Sequence, residues 1–162
     1  MNTGHGSHAA ATALLERIVD APCNLIVLDT NQADELIEEL RLLTRRSGQA
    51  IYLWQDETGL RSMREGDMQI QVSRRLTDTL RFIRRSMHFG IYLMQVDTSS
   101  LSPQSINLLA EIGRLKDGPS RRVVILGNSP EIDDRLEAVS LRLSVSGGDK
   151  GRPRLRDGRW VR

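Results

Sequence analysis

The chain has 162 residues, of which 39% are hydrophobic, 27% charged and only 4% aromatic. That suffices for one domain with a core built mainly from Leu, Ile and Val, and it excludes a collagenous or disulfide-stapled chain. The net charge is +2, but Lys150, Arg152, Arg154, Arg156, Arg159 and Arg162 face only Asp149 and Asp157 after Ser146, so the positive charge sits in the tail and the rest is slightly acidic.

Cys23 is the single cysteine, so no internal disulfide forms, which suits a reducing compartment. The opening MNTGHGSHAAATALL lacks a basic n-region and a long apolar h-region, and residues 1–13 read as a flexible lead-in. No apolar run approaches the roughly 20 residues that span a bilayer. A cytoplasmic protein without a membrane span is the expectation.

In chain order, Leu25 to Leu28 is short and uniformly apolar, the pattern of a buried strand. Thr30 or Asn31 suits the cap of a following helix whose buried face is Leu36, Ile37, Leu40 and Leu43. Arg45 and Arg46 suit its last turn and Gly48 the residue beyond. Ala50 to Trp54 is the second strand. QDETGLRSMREGDM reads as a loop with a helical turn. From about Ile70 to Met87, Leu76, Leu80, Ile83 and Met87 recur at helical spacing, with arginines on the other faces. Ile91 to Asp97 is the third strand, and Ser102-Pro103 opens a helix with Ile106, Leu109, Ile112 and Leu115 on its buried stripe. Arg122 to Leu126 is the fourth strand, a short helix spans about Glu131 to Ala138, and Ser140 to Val145 is the fifth strand. Residues 147–162, rich in Gly, Arg and Asp, read as a basic tail that is disordered when free.

Strands alternating with amphipathic helices predict a parallel sheet covered on both faces. One near-repeat stands out: IYLWQDET at 51–58 and IYLMQVDT at 91–98. Two buried strands of one sheet converge this far without duplication.

Three positions bear on chemistry. Asp97 ends the third strand and resembles the Walker-B aspartate that holds magnesium, although Thr98 stands where many ATPases carry a glutamate. The simpler reading is a carboxylate at a strand end that caps the loop TSSLSP. Asn128 ends the fourth strand and resembles the sensor asparagine of AAA+ ATPases; Gly-Asn-Ser-Pro is also a good turn. The junction after the first strand, Asp29-Thr30-Asn31-Gln32-Ala33-Asp34-Glu35, has no glycine and no lysine. A phosphate cradle needs glycine φ/ψ freedom and a neutralising cation, whereas acids there stabilise a helix N-terminus. A receiver-type phosphoacceptor is excluded because neither Lys116 nor Lys150 follows a suitable strand. His5, His8 and His88 lack metal-ligand spacing, and no nucleophile motif occurs. No cofactor, metal or catalytic residue is expected; if a nucleotide binds, Asp97 and Asn128 are the cofactor-binding candidates.

The Arg-rich stretch from Arg74 to Arg85 reads as a solvated helix face partly paired with Asp78. In the tail, Arg152, Arg154, Arg156, Arg159 and Trp160 are the candidate partner-binding residues, for nucleic acid, an acidic protein surface or anionic lipid.

Over about residues 14–146 the chain is similar to the N-terminal half of plastid and cyanobacterial AAA+ ATPases of the hypothetical-chloroplast-reading-frame class, an ATPase-like domain without its Walker A loop. LIVLDTNQADEL, IYLWQDETGL, LRFIRRSMHFGIYLMQVDTSSL and RRVVILGNSPEIDDRLEAVSLRLSV carry the resemblance. It implies an α/β fold, a three-layer α/β/α sandwich with a mostly parallel five-stranded sheet, of the degenerate P-loop NTPase or AAA+-like kind. In that class an active module follows on the same chain, whereas an arginine-rich tail follows here, so the resemblance implies binding without turnover. The expected function is a non-catalytic interaction or scaffold module that docks on a protein partner or self-associates. The alternatives are a residual nucleotide-binding regulator and nucleic-acid binding through the tail.

Overall fold

The computed structural model describes residues 3–64, 68–72, 74–116, 121–147 and 153–157. Five parallel strands form the centre of the sheet: β1 (Leu25–Thr30), β2 (Ile51–Gln55), β5 (Gly90–Gln95), β6 (Arg121–Gly127) and β7 (Ser140–Gly147). Among the described residues the sheet has eight strands, in the order β4-β3-β2-β5-β6-β1-β7-β8. The three extra strands are antiparallel: β3 (Gly59–Ser62) and β4 (Met68–Gln69) extend one edge, and β8 (Pro153–Asp157) extends the other.

Alternation along the buried strands sorts side chains into two cores. Ile26, Leu28, Leu53, Leu93, Val124 and Leu126 face one layer, with α1 (Thr3–Val19) and α2 (Ala33–Ser47). Leu25, Trp54, Tyr92, Met94, Val123 and Ile125 face the other, with α3 (Leu76–Arg85), α4 (Pro103–Arg114) and the short α5 (Asp134–Glu137). The fold is therefore the expected α/β/α sandwich.

Local chemistry sets the helix ends. Asp34 and Glu35 occupy the first turn of α2 and Arg45 and Arg46 its last, matching the macrodipole. Gly48 closes α2 in the left-handed region at φ 74° and donates its N–H to the Thr44 carbonyl. Ser102 caps α4 by accepting from the Ser105 N–H, with Pro103 in the first turn. The expected cap of α2 differs: Gln32 holds that position without a side-chain bond, and the Thr30 hydroxyl accepts from the Gln32 N–H at 3.1 Å.

Several expectations are corrected. The lead-in does not run to residue 13: among the described residues the chain is helical from Thr3, and Ala11 and Leu14 are buried in the core. The segment after β2 is a strand pair, turned through Gly59 at φ 77°, rather than a loop with a helical turn. The third helix starts at Leu76, not near Ile70, and ends at Arg85. The short helix is confined to Asp134–Glu137. The tail is not wholly irregular, because Pro153–Asp157 pairs with β7 from Leu143 to Gly147. The unpaired N–H and C=O groups on the outer edge of β7 receive the added strand.

The near-repeat has a direct structural meaning. β2 and β5 are parallel neighbours, and Ile51, Tyr52, Leu53 and Gln55 lie beside Ile91, Tyr92, Leu93 and Gln95. The rings of Tyr52 and Tyr92 stack with centroids 4.8 Å apart and planes 11° from parallel. Identical neighbours in register share one environment, so like residues suit both strands.

Candidate functional site at the carboxyl ends of the strands

Open α/β sheets bind ligands beyond the carboxyl ends of their parallel strands. There the structure has a cleft of about 660 Å³, walled by the β1–α2 junction and the ends of β2, β5 and β6. Asp34, Glu35, Asp56, Glu57 and Asp97 line it; among the described residues no lysine or arginine does, although Arg61 donates to its Gln55 and Arg75 borders the adjoining hollow that shares Asp56 and Asp97. Asp97 and Asn128 are both in its wall, so the fold brings these two candidates to one place. An adjoining groove of about 380 Å³ shares Thr30, Gln32, Asp34 and Glu35 and adds Glu38 and Glu39 over an apolar floor of Ala10, Ala11, Leu36 and Val145.

A polar chain crosses the cleft. Arg61 Nη2 donates to Gln55 Oε1 at 3.0 Å, Gln55 Nε2 donates to Gln95 Oε1 at 2.6 Å, and Gln95 Nε2 donates to Asp34 Oδ1 at 3.3 Å. The glutamines are shared by the two copies of the near-repeat, and their pairing ties the tops of β2 and β5 to the start of α2.

Asp97 is occupied locally. Its Oδ1 accepts from the Ser99 hydroxyl at 2.6 Å and the Ser99 N–H at 3.0 Å, capping a 3-10 turn at Thr98–Ser100. The hydroxyl bond first, then the backbone bond, lowers its pKa below the ordinary carboxylate value. Asp29 Oδ1 accepts from the Ser129 N–H at 2.7 Å and so joins the end of β1 to the loop after β6. Ser129 holds the left-handed region there at φ 46°, and Asn128 precedes it.

The β1–α2 junction gives a phosphate little to bind. Only Asn31 and Gln32 separate strand from helix, and Asp34 and Glu35 occupy the helix turn that would receive the anion. A unit charge about 4 Å from another of like sign costs on the order of 4 kcal/mol at an effective dielectric near 20. Among the described residues no three His, Cys, Asp or Glu side chains converge as metal ligands.

Of the other candidates, Arg154 and Arg156 lie in β8, opposite Ser146 and Ser144. Arg152, Arg159 and Trp160 lie outside the described residues. The Arg-rich helix is partly paired as expected, Arg81 with Asp78 at 3.2 Å and Arg84 with Glu111 at 2.7 Å. Cys23 is half-buried with its thiol on the Leu25 carbonyl at 3.4 Å, and burial raises its pKa. Among the described residues no helix is long and apolar enough to cross a membrane.

Sequence reasoning missed the residues that hold the opposite end together. Arg121 and Arg122 open β6 and point to opposite faces. Arg121 donates to the carbonyls of Arg84 and Ser86, closing α3. Arg122 donates to the carbonyls of Ile18, Val19 and Ala21 at the end of α1 and to Asn24 Oδ1. The available signal was two adjacent arginines at the head of an otherwise apolar strand.

No curated protein and no solved structure matches the chain. A family model does, over residues 11–145, and the chain belongs to the family it describes, the SpoVK-like AAA ATPase N-terminal domains.

Proposed function

We propose that this domain is a non-catalytic docking module derived from an AAA+-type ATPase fold, which engages a protein partner in a cytoplasmic assembly. The observation that carries the reading is the composition of the cleft: five carboxylates, no cation among the described lining residues, and a two-residue β1–α2 junction without glycine. Such a surface disfavours a triphosphate and leaves a wide polar face for macromolecular contact. The same feature supports the finer likeness to the plastid and cyanobacterial domains that lack a Walker A loop.

Titration calorimetry with ATP and ADP, with and without magnesium, tests the reading, together with a phosphate-release assay. The expected outcome is no saturable heat at millimolar nucleotide and no phosphate above the blank. Micromolar affinity with turnover would overturn it. A second reading, weak nucleotide binding without hydrolysis, draws on the presence of Asp97 and Asn128 in one wall. It predicts saturable, magnesium-dependent heat that Asp97→Asn removes.

A further inference from the structure

We infer that the end of the domain opposite the acidic cleft is a docking face for an anionic lipid surface. This inference is independent of what the cleft binds. Helices α1 to α4 all finish where the parallel strands begin, and each carries arginine in its last turn. Arg45, Arg85, Arg114 and Lys116 are exposed at that end. Arg64, also exposed, joins them by donating to the Gly48 carbonyl beyond α2. Among the described residues the acids at this end are Glu16, Asp20, Glu111 and Glu137, Glu111 taken up by Arg84 and Glu137 4.0 Å from Arg142.

Apolar side chains project among these cations. Met87, 72% exposed, follows Arg84 and Arg85 in the α3–β5 connection, and Leu42, 51% exposed, precedes Arg45 on α2. Met68, also 51% exposed, starts β4 opposite Ser62, near the same end of the sheet. Protruding aliphatics gain nothing on a phosphate backbone but bury at the headgroup–acyl boundary of a bilayer, while arginine pairs with lipid phosphates. Single-stranded nucleic acid asks for exposed aromatic rings, and among the described residues Tyr52, Trp54, Phe82, Phe89 and Tyr92 are all buried or half-buried, which leaves the small imidazole of His88 as the exposed ring at this end. The cations come from several elements across the whole end, and the clefts described above open at the other. This face therefore suits a plane rather than a single peptide.

The test is co-sedimentation of the full chain with phosphatidylcholine vesicles, with and without about 30% phosphatidylglycerol, each cation near an anionic surface being worth about fivefold in affinity. Binding is expected on the anionic vesicles only, with release in high salt. Arg45→Glu with Arg85→Glu should weaken it by at least about 100-fold, and Met87→Asp should weaken it further. Arg74→Glu with Arg135→Glu, an equal charge change at exposed positions away from this face, should leave binding within about threefold. Circular dichroism verifies that each variant is folded. Equal binding to neutral vesicles, equal loss in the control pair, or equally tight binding to a mixed-sequence nucleic-acid duplex would each overturn the assignment.

Discussion

Replacing Arg122 with Met keeps the aliphatic stem and removes the guanidinium. All five of its N–H groups are used: on the carbonyls of Ile18, Val19, Ala21 and Arg121, and on Asn24 Oδ1 at 2.6 Å. Asn24 in turn donates to the carbonyls of Ile112 and Leu115, so one cation links the ends of α1 and α4. Val19 and Asp20 are not buried, so water can replace some of the lost partners; the environment of Ile18 and Asn24 is closed. Two stranded acceptors at about 1–3 kcal/mol each, plus about 0.3–1 kcal/mol for the α1 dipole, exceed what is recovered. That recovery is real, because burial lowers the Arg122 pKa and so opposes its charge. The expected net loss is about 2–5 kcal/mol, a large part of the roughly 5–15 kcal/mol that holds a domain together. Urea unfolding reads it as a lower midpoint at unchanged slope. Arg122→Lys, with its donors on one atom, should fall between. A loss below about 1 kcal/mol for Arg122→Met would refute the reasoning and make the arginine replaceable by packing alone.

Gly113→Ala places a methyl 2.9 Å from both Val139 Cγ2 and the Val139 carbonyl oxygen. Overpacking of about 1–3 kcal/mol should outweigh the gain of up to about 1 kcal/mol in helix propensity, visible as a lower melting temperature. A Leu double-mutant cycle on Tyr52 and Tyr92 should return a coupling of about 0.5–1.5 kcal/mol for the stacked rings; additive losses would deny the stack an energetic role. For Asp97, a folded pKa below the ordinary value means stability that is present above the unfolded pKa and lost as pH falls through the folded one. Asp97→Asn should therefore flatten the acid limb of the stability curve, and an NMR titration of the wild type should place the Asp97 carboxylate below the ordinary carboxylate value.

The elements legible in the sequence are those whose pattern is also their environment. β1, β5 and β6 read as strands because both faces are covered, and α2 because Leu36, Leu40 and Leu43 meet one core while its terminal charges follow the dipole. The β3–β4 pair was illegible, since its few residues carry no apolar alternation and depend on the open edge of β2 and on Gly59. α1 escaped because its stripe, Ala11, Leu14, Leu15 and Ile18, straddles the boundary where a polar start gives way to core. At the cleft, the acids and the places of Asp97 and Asn128 were readable from strand ends alone. The glutamine chain needed the pairing of β2 with β5, and the role of Arg122 needed partners about a hundred residues away.

A nucleotide-binding version of this fold leaves the first helix after β1 with an unsatisfied N-terminus that the phosphates complete. Here α2 carries its own negative charge at that end, although Gln32 caps none of its N–H groups. Asp34 and Glu35 place negative charge in that first turn, and the Gln95 amide holds Asp34 in position. The opposite ends of α1 and α3 are closed by Arg122 and Arg121 from inside the sheet. Charge from the chain's own side chains thus meets the dipole at the start of α2 and at the ends of α1 and α3. Restoring a lysine alone at the junction would neutralise one carboxylate and still lack the glycines that turn backbone N–H groups toward an anion, so Asp34→Lys should weaken α2 without creating measurable ATP affinity.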